Sequence, residues 1–159
     1  MQIKPTLDAI LEHPDFRQGD CWQEASYPAN HTIFSEGELS KTIYFIVEGQ
    51  CRAVGHVDIG KDKQVNPGVY ELKEGDIFGE LAVFDELPRS TSVLSLDSVR
   101  LIEIDGDKLT DFLQKHPSLG YAIMNALVVM LVKRLRASNK KIFSLFAWGL
   151  KAHSIDDHL

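Results

Sequence analysis

The chain has 159 residues, of which 44% are hydrophobic and 25% are charged, and its mean hydropathy is −0.11. These values are typical of a soluble globular protein with one domain of ordinary size. Seventeen basic and twenty-three acidic residues give a formal net charge of −6, which argues against a general nucleic-acid-binding surface. The longest apolar run, Ala126 to Val132, is too short to span a membrane, and the acidic residues near the N-terminus exclude a signal peptide.

Residues 1–30 are predicted to form a short N-terminal helix followed by a loop. Leu7 and Ile10 share one face of a helix over residues 4–12. The helix ends at His13 because the residue before a proline avoids the helical conformation.

Residues 31–104 carry the pattern of a β-roll. Short β-branched and aromatic runs alternate with glycine-containing turns, at the regular spacing of sandwiches and barrels. We therefore expect about eight short antiparallel strands in a jelly-roll-like arrangement. The runs are 31–34, 42–47, 50–57, 69–72, 92–96 and 99–104, with a polar turn at 58–63 and glycine turns at Gly37, Gly49 and Gly75.

From Asp105 onward the apolar period changes from two residues to about 3.6, which indicates helices over residues 105–150. Asp105 or Asp107 can cap a short helix, and a long helix is expected over roughly 119–146. Its apolar residues recur at alternating spacings of three and four, a seam suited to a second helix or to the chain's own roll. The seam consists of Val128, Leu131, Leu135, Ser138, Ile142 and Leu145, and a polar tail follows over residues 151–159.

The predicted fold class is therefore α+β, a single domain over residues 1–159. It combines the β-roll with the N-terminal helix, a short helix within the segment 75–95, and the long C-terminal helix.

The segment 75–95, GDIFGELAVFDELPRSTSVLS, combines the features of an anion-binding loop. Gly79 allows the backbone to approach a ligand closely, and the residues after it can form one helical turn whose first N–H groups suit a phosphate. Arg89 would supply positive charge and a planar fork that grips phosphate oxygens at two points. Because Glu80 would repel a phosphate, we expect it to accept hydrogen bonds from ligand hydroxyls and to pair with a nearby cation.

The run FGELAVFDELPRSTSV resembles the phosphate-binding cassette of cyclic nucleotide-binding domains, and HTIFSEGELSKTIYFIVEGQCRAV resembles their first glycine-turned hairpin. The similarity extends to the catabolite activator branch and to the regulatory subunits of cyclic AMP-dependent protein kinases. It implies that Glu80 binds the ribose 2′-hydroxyl and that Arg89 binds the cyclic phosphate. Thr91 departs from the family pattern, in which alanine is common. The ligand-binding residues implied within this cassette are Phe78, Gly79, Glu80, Leu81, Ala82, Arg89, Ser90 and Thr91.

The resemblance also bears on the choice of nucleotide. Family members selective for cyclic GMP have a threonine directly after the cassette arginine, whereas this chain has Ser90 there and Thr91 one residue later. Cyclic AMP is therefore favoured, and cyclic GMP is the second possibility.

The stretch 133–147 is similar to the long helix of the catabolite activator branch. It places Ser138 and Asn139 where that branch contacts adenine, one residue from each subunit. The resemblance thus implies a homodimer through this helix. The alternative is that Ser138 bonds back to its own helix and that Asn139 faces water.

Motifs for other chemistries are missing from the sequence. No two of the six histidines are at one-, three- or four-residue spacing, and neither a Gly-x-Ser-x-Gly elbow nor a Walker loop occurs. We therefore expect no metal, no cofactor and no enzymatic activity. Cys21 and Cys51 lack metal spacing and are expected to be reduced thiols in the cytoplasm. A solvated helix face is expected for the basic residues Lys133, Arg134, Arg136, Lys140 and Lys141.

The expected function is a cyclic nucleotide receptor that signals to an unidentified downstream protein. Too few residues follow Trp148 for a helix-turn-helix, so no DNA-binding domain is expected in this chain. Met1 and the polar tail favour a stand-alone receptor. The alternatives are a sensor fragment of a larger transcription factor, channel or enzyme, and a degenerate domain that binds no nucleotide.

Overall fold

The computed structural model of the chain describes residues 3–55, 57–58, 64–65 and 68–152. Within them the chain forms helices α1 (Ile3–Leu11), α2 (Leu81–Phe84), α3 (Gly106–Lys115) and α4 (Pro117–Ala152). The strands are β1 (Trp22–Tyr27), β2 (Thr32–Phe34), β3 (Thr42–Glu48), β4 (Gln50–Val54), β5 (Val57–Asp58), β6 (Gln64–Val65), β7 (Gly68–Lys73), β8 (Ile77–Phe78), β9 (Ser92–Ser95) and β10 (Val99–Asp105).

Two antiparallel four-stranded sheets form the body of a roll. Their strand orders are β1-β10-β3-β8 and β2-β9-β4-β7, while β5 and β6 pair as a separate ribbon. The predicted α+β fold, with a roll of eight strands, short helices and a long C-terminal helix, is thereby confirmed. The predicted turn glycines Gly37, Gly49 and Gly75 all have positive φ angles, between 82° and 89°.

Strand β3 contributes to two hydrophobic cores, because successive side chains of a strand point to opposite faces. Tyr44 and Ile46 enter the core between the sheets, whereas Ile43 and Phe45 enter a second core beneath the helices. Both faces of β3 are therefore covered. The helical side of the second core includes Leu7, Ile10, Leu109, Phe112, Ile123 and Leu127.

The C-terminal helices begin at polar or proline residues. Asp105 caps α3, since its Oδ1 accepts a hydrogen bond from the N–H of Lys108 at 3.0 Å. Helix α4 begins at Pro117, earlier than predicted, because proline fits the first helical turn, where its missing N–H is not needed.

Helix α4 meets the length and composition of a membrane span. However, its first half packs on the roll through Ile123, Ala126 and Leu127, all at most 4% exposed. These contacts make α4 part of the folded domain.

The prediction of a loop in the second half of residues 1–30 was wrong in one respect. Strand β1 lies there, at the edge of its sheet, and pairs antiparallel with β10 along its whole length. Its side chains are half-buried or exposed, so hydrogen bonding to β10, rather than an apolar pattern, defines this strand. The strand predicted over 50–57 is also interrupted, because β4 ends at Val54. Most of the polar turn predicted at 58–63 lies outside the described residues.

Candidate functional site

The Arg89 side chain lies inside the roll and is only 4% exposed. Its Nη1 donates to the carbonyl of Gly79 at 2.7 Å, and its Nη2 donates to the carbonyl of Thr42 at 2.6 Å and to the hydroxyl of Ser40 at 3.2 Å. The guanidinium carbon stands 4.3 Å from the centroid of the Phe34 ring. It also stands 5.9 Å from the centroid of the Tyr44 ring, so Arg89 is held by uncharged acceptors and two aromatic rings.

The Nε of Arg89 is buried and has no hydrogen-bond partner among the described residues. Burial lowers the pKa of this guanidinium, and nearby acidic groups, Glu38 and Glu80 among them, only partly oppose that shift. A buried cation of this kind costs free energy unless an anion pairs with it. The environment of Arg89 therefore suits an anionic ligand.

Gly79 makes the close approach to Arg89 possible. Its φ angle is +80°, a conformation that favours glycine. A Cβ atom added at this position would lie 2.8 Å from Nη1 of Arg89 and 2.9 Å from the carbonyl oxygen of Thr42. Any side chain here would displace the guanidinium, so the glycine is a steric requirement of the site.

Glu80 is 3% exposed and forms an ion pair with Arg134 of α4, with 2.9 Å between Oε1 and Nη1. Arg134 also donates to the carbonyl of Ile77, and its guanidinium lies 5.1 Å from the centroid of the Tyr70 ring. Burial raises the pKa of Glu80, whereas the positive charge of Arg134 opposes this shift. The ion pair connects the cassette to the long helix.

A cavity of about 390 Å³ opens between the cassette and α4. Glu80 and Leu81 line it on the cassette side, Tyr70 lines it from β7, and Arg134 and Ser138 line it from α4. A larger cavity of about 760 Å³, between α1, α4 and β7, shares Tyr70, Arg134 and Ser138 but lacks the cassette residues. The smaller cavity is the better candidate site because it alone of the two includes Glu80.

The structure brings only some of the predicted site residues together. Gly79 and Arg89 are in contact, and Glu80, Leu81 and Ser138 share the smaller cavity, whose lining does not include Arg89.

The remaining predicted residues lie apart from this cavity. The Phe78 ring belongs to the core between the sheets, where it stacks on Tyr44. Ala82 is buried in α2, Ser90 is exposed, and Thr91 is half-buried just before β9. Asn139 is exposed on another face of α4, beside Arg136 and Phe143.

Sequence reasoning missed Arg134 as a member of this site. The prediction of a solvated face for the basic residues of α4 was wrong for Arg134, whose side chain is only 18% exposed. A signal was present, because Arg134 precedes Ser138 by one helical turn and therefore shares its face. The predicted cation next to Glu80 is this arginine.

The predicted seam of α4 is largely uncovered in the single chain. Val128, Leu135, Ile142 and Leu145 are between 53% and 68% exposed. Ser138 is half-buried in the middle of this seam.

Comparisons with known proteins agree with this fold. The family profile of the cyclic nucleotide-binding domain matches residues 24–116. The CRP-like cAMP-activated global transcriptional regulator of Mycobacterium tuberculosis is 29% identical over 123 residues, which are 77% of this chain and 51% of that protein. The cAMP-activated global transcriptional regulator CRP of Escherichia coli is 28% identical over 145 residues, which are 91% of this chain and 61% of that protein. The chain thus spans about half the length of the mycobacterial relative.

Among solved structures, the c-di-GMP-responsive global regulator CLP of Xanthomonas campestris has the same fold. Its TM-score is 0.75 at 22% sequence identity, and the match covers 89% of this chain and 64% of that chain. The family profile covers more than half of the present chain, including the roll and the cassette where Gly79, Glu80 and Arg89 lie. On this basis the chain belongs to the cyclic nucleotide-binding domain family, as a regulatory domain related to the CRP-like regulators.

Proposed function

We propose that the chain is a cytoplasmic cyclic AMP receptor, without enzymatic activity, that passes its ligand state through α4 to a partner protein. The observation that carries this proposal is the buried Arg89 guanidinium, whose acceptors are uncharged. A cyclic phosphate would provide the anionic partner, with charge-assisted hydrogen bonds that are stronger than those to carbonyl groups. The names of two similar regulators describe them as cAMP-activated, which supports the choice of nucleotide.

Phosphate binding would require Arg89 to exchange partners. The Nε–H and one Nη–H of a guanidinium form a fork that grips two oxygens of one phosphate. The Nε–H has no partner among the described residues, and Nη2 would replace the carbonyl of Thr42 by a phosphate oxygen. The contact of Nη1 with the carbonyl of Gly79 could remain and hold the guanidinium in place.

Glu80 would bind the ribose. Its Oε1 is paired with Arg134, which favours the ionised carboxylate and leaves Oε2 to accept a hydrogen bond from the 2′-hydroxyl. The positive charge of Arg134 also offsets the negative charge of the Glu80 carboxylate, and this reduces the repulsion between Glu80 and the phosphate.

Ser138 and Asn139 would contact the adenine. Ser138 lines the cavity next to Glu80 and Arg134, so its hydroxyl is available to a base placed there. Asn139 is exposed on another face of α4, so it would meet the base bound by a second chain. The adenine would then bridge both subunits of a dimer.

The homodimer would form through the exposed seam of α4. A second copy of α4 would bury Leu135 and Ile142, which are 61% and 60% exposed. Burial of apolar side chains that recur at alternating spacings of three and four residues stabilises pairs of helices. Ligand bound against Ser138 would then order the second half of α4 and present it to a downstream protein.

Isothermal titration calorimetry with cyclic AMP tests the proposal. We expect Arg89→Ala to weaken binding by about 2–5 kcal/mol, or some 30- to several-thousand-fold, since it removes a buried charged partner of the phosphate. The matched control is Arg100→Ala, because Arg100 lies on the surface of β10 and pairs only loosely with Glu24 and Glu48. Circular dichroism establishes that each variant is folded.

The same titrations separate the alternatives. Unchanged affinity in Arg89→Ala would remove the cassette from the mechanism. Binding of cyclic GMP or cyclic di-GMP at least about tenfold tighter than cyclic AMP would change the assigned nucleotide. A wild-type chain that binds none of the three would be a degenerate member of the family.

A sensor unit within a larger transcription factor, channel or enzyme is the second candidate. The observation in its favour is that this chain covers 51% of the mycobacterial regulator. Sequencing the native reading frame beyond Leu159 tests it, because an open frame that continues would identify the attached effector.

A further inference from the structure

Two histidines and an aspartate meet where α1 and the junction of α3 with α4 come together. One ligand atom from each of His13, Asp15 and His116 lies within 4.8 Å of the others. Nε2 of His116 is 3.2 Å from Oδ2 of Asp15, and Nδ1 of His13 is 3.8 Å from the same oxygen. We propose that these three side chains form a transition-metal site that binds Zn²⁺.

The distances fit tetrahedral coordination. Ligand atoms placed about 2.0–2.1 Å from a zinc ion at tetrahedral angles are separated by roughly 3.3 Å. Two of the three separations, 3.2 Å and 3.8 Å, are close to this value and the third is at most 4.8 Å, so small side-chain rotations would complete the geometry. Nδ1 of His13 accepts a hydrogen bond from the backbone N–H of Asp15 at 3.2 Å, so its lone pair already points toward Asp15. The metal replaces that hydrogen bond.

The backbone holds both histidines in place. The N–H of His13 donates to the carbonyl of Ile10, and its carbonyl accepts from the N–H of Phe16. His116 is fixed in the same way, through the carbonyl of Phe112 and the N–H of Gly120. Both imidazoles also contact the Phe112 ring, with centroids at 5.0 Å and 4.3 Å. A site whose ligands are ordered in advance loses little conformational entropy when the metal binds.

The donor set selects the class of metal. Imidazole nitrogens suit Zn²⁺, Cu²⁺ and Ni²⁺, whereas Ca²⁺ and Mg²⁺ prefer oxygen ligands only. Three protein ligands leave the fourth tetrahedral position to water. Asp15 is exposed, and the side chains of His13 and His116 are 27% and 25% exposed, so the ion can enter from solvent.

A bound ion would connect two segments that are distant in sequence. His13 and Asp15 follow α1, whereas His116 immediately precedes Pro117, the first residue of α4. The site therefore fixes the start of the helix that carries Arg134 and Ser138. Metal binding will raise the thermal stability of the chain, because the site exists only in the folded state.

The test is calorimetric titration of the untagged, metal-free chain with ZnCl₂. We expect one Zn²⁺ per chain. Loss of a residue that only hydrogen-bonds to a metal ligand typically weakens metal binding about 10- to 100-fold. We expect Asp15→Asn and His116→Ala each to weaken Zn²⁺ binding by more than this. Asp15→Asn is the safer variant for folding because this side chain is exposed. The control is His31→Ala, since His31 is an exposed histidine that stacks on Tyr27, away from the cluster.

Imidazole NMR resonances provide a second measurement on the wild-type chain. Zn²⁺ should shift the resonances of His13 and His116 and leave those of His31 in place. Unshifted cluster resonances, wild-type affinity in both cluster variants, or an equal loss in His31→Ala would each overturn the proposal. The Arg89→Ala variant should bind Zn²⁺ like the wild type, which separates this site from nucleotide binding.

Discussion

Removal of Arg134 should destabilise the chain in a pH-dependent manner. The variant Arg134→Ala leaves Glu80, which is 3% exposed, as a buried carboxylate without its ion-pair partner. Breaking a buried ion pair from one side typically costs about 3–5 kcal/mol. Because water reaches part of the Arg134 side chain, which is 18% exposed, we expect the lower end, about 3 kcal/mol. For a chain of this size that loss lowers Tm by about 6–12 °C.

The sign of the pH dependence follows from the pKa of Glu80. Burial raises this pKa, so the folded state takes up the proton more readily than the unfolded chain does. Stability from this group is therefore fully present below the unfolded-state pKa and is lost as pH rises through the higher folded-state pKa. Without the opposing charge of Arg134 the folded-state pKa rises further. The defect of Arg134→Ala should thus be larger at about pH 7 than at about pH 5.

Guanidinium denaturation followed by tryptophan fluorescence measures this effect at both pH values. The double variant Arg134→Ala, Glu80→Gln should recover part of the lost stability, since the remaining amide is uncharged. Arg100→Ala is the control, because its half-exposed ion pairs are expected to contribute less than about 1 kcal/mol. A loss below about 1 kcal/mol in Arg134→Ala, or a loss independent of pH, would refute the reasoning about this buried pair.

Three further predictions concern the cassette and α4. Gly79→Ala should cost about 1–3 kcal/mol more stability than Gly37→Ala in thermal denaturation, and it should also abolish nucleotide binding. Both glycines have φ near +80°, but an added Cβ meets nothing within 4 Å at Gly37, so equal losses would contradict the steric role of Gly79. The double variant Ser138→Ala, Asn139→Ala should lose cyclic AMP affinity and the ligand-induced protection of α4 from hydrogen exchange, yet still bind weakly through Arg89; wild-type affinity would remove α4 from base recognition. Leu135→Lys with Ile142→Lys should give a monomer in sedimentation velocity, whereas Leu39→Lys, at an 80% exposed leucine outside α4, should leave the oligomeric state unchanged. A wild-type chain that sediments as a monomer with and without ligand would exclude the dimer.

Local patterns in the sequence were sufficient to predict most of the fold and the centre of the cassette. Short runs of β-branched and aromatic residues predicted β3 and β10, and the predicted glycine turns have positive φ angles. Gly79 and Arg89 were recognisable as a pair because both lie in one short segment, whose pattern resembles the phosphate-binding cassette of the family. These features depend on interactions among neighbouring residues, which sequence patterns record directly.

Contacts between distant residues could not be predicted in the same way. The ion pair of Glu80 with Arg134 depends on how α4 crosses the roll, and the contact of His13 with His116 depends on how α1 packs against α4. The spacing rule for metal ligands does not link His13 with His116, because it covers only residues that are close in sequence. Strand β1 escaped detection since its partner β10, rather than its own composition, stabilises it.

The position of β3 between two cores determines how the chain tolerates insertions. Tyr44 and Ile46 fill one core while Ile43 and Phe45 fill the other, so a single inserted residue would exchange the two sets downstream of the insertion. Both cores would then receive side chains of the wrong size. Repacking of the sheets alone, or of the helices alone, could not accommodate them. Two inserted residues would restore the facing of each side chain and shift only the pairing with β10 and β8. Length variation within β3 should therefore be tolerated, if at all, only in steps of two residues.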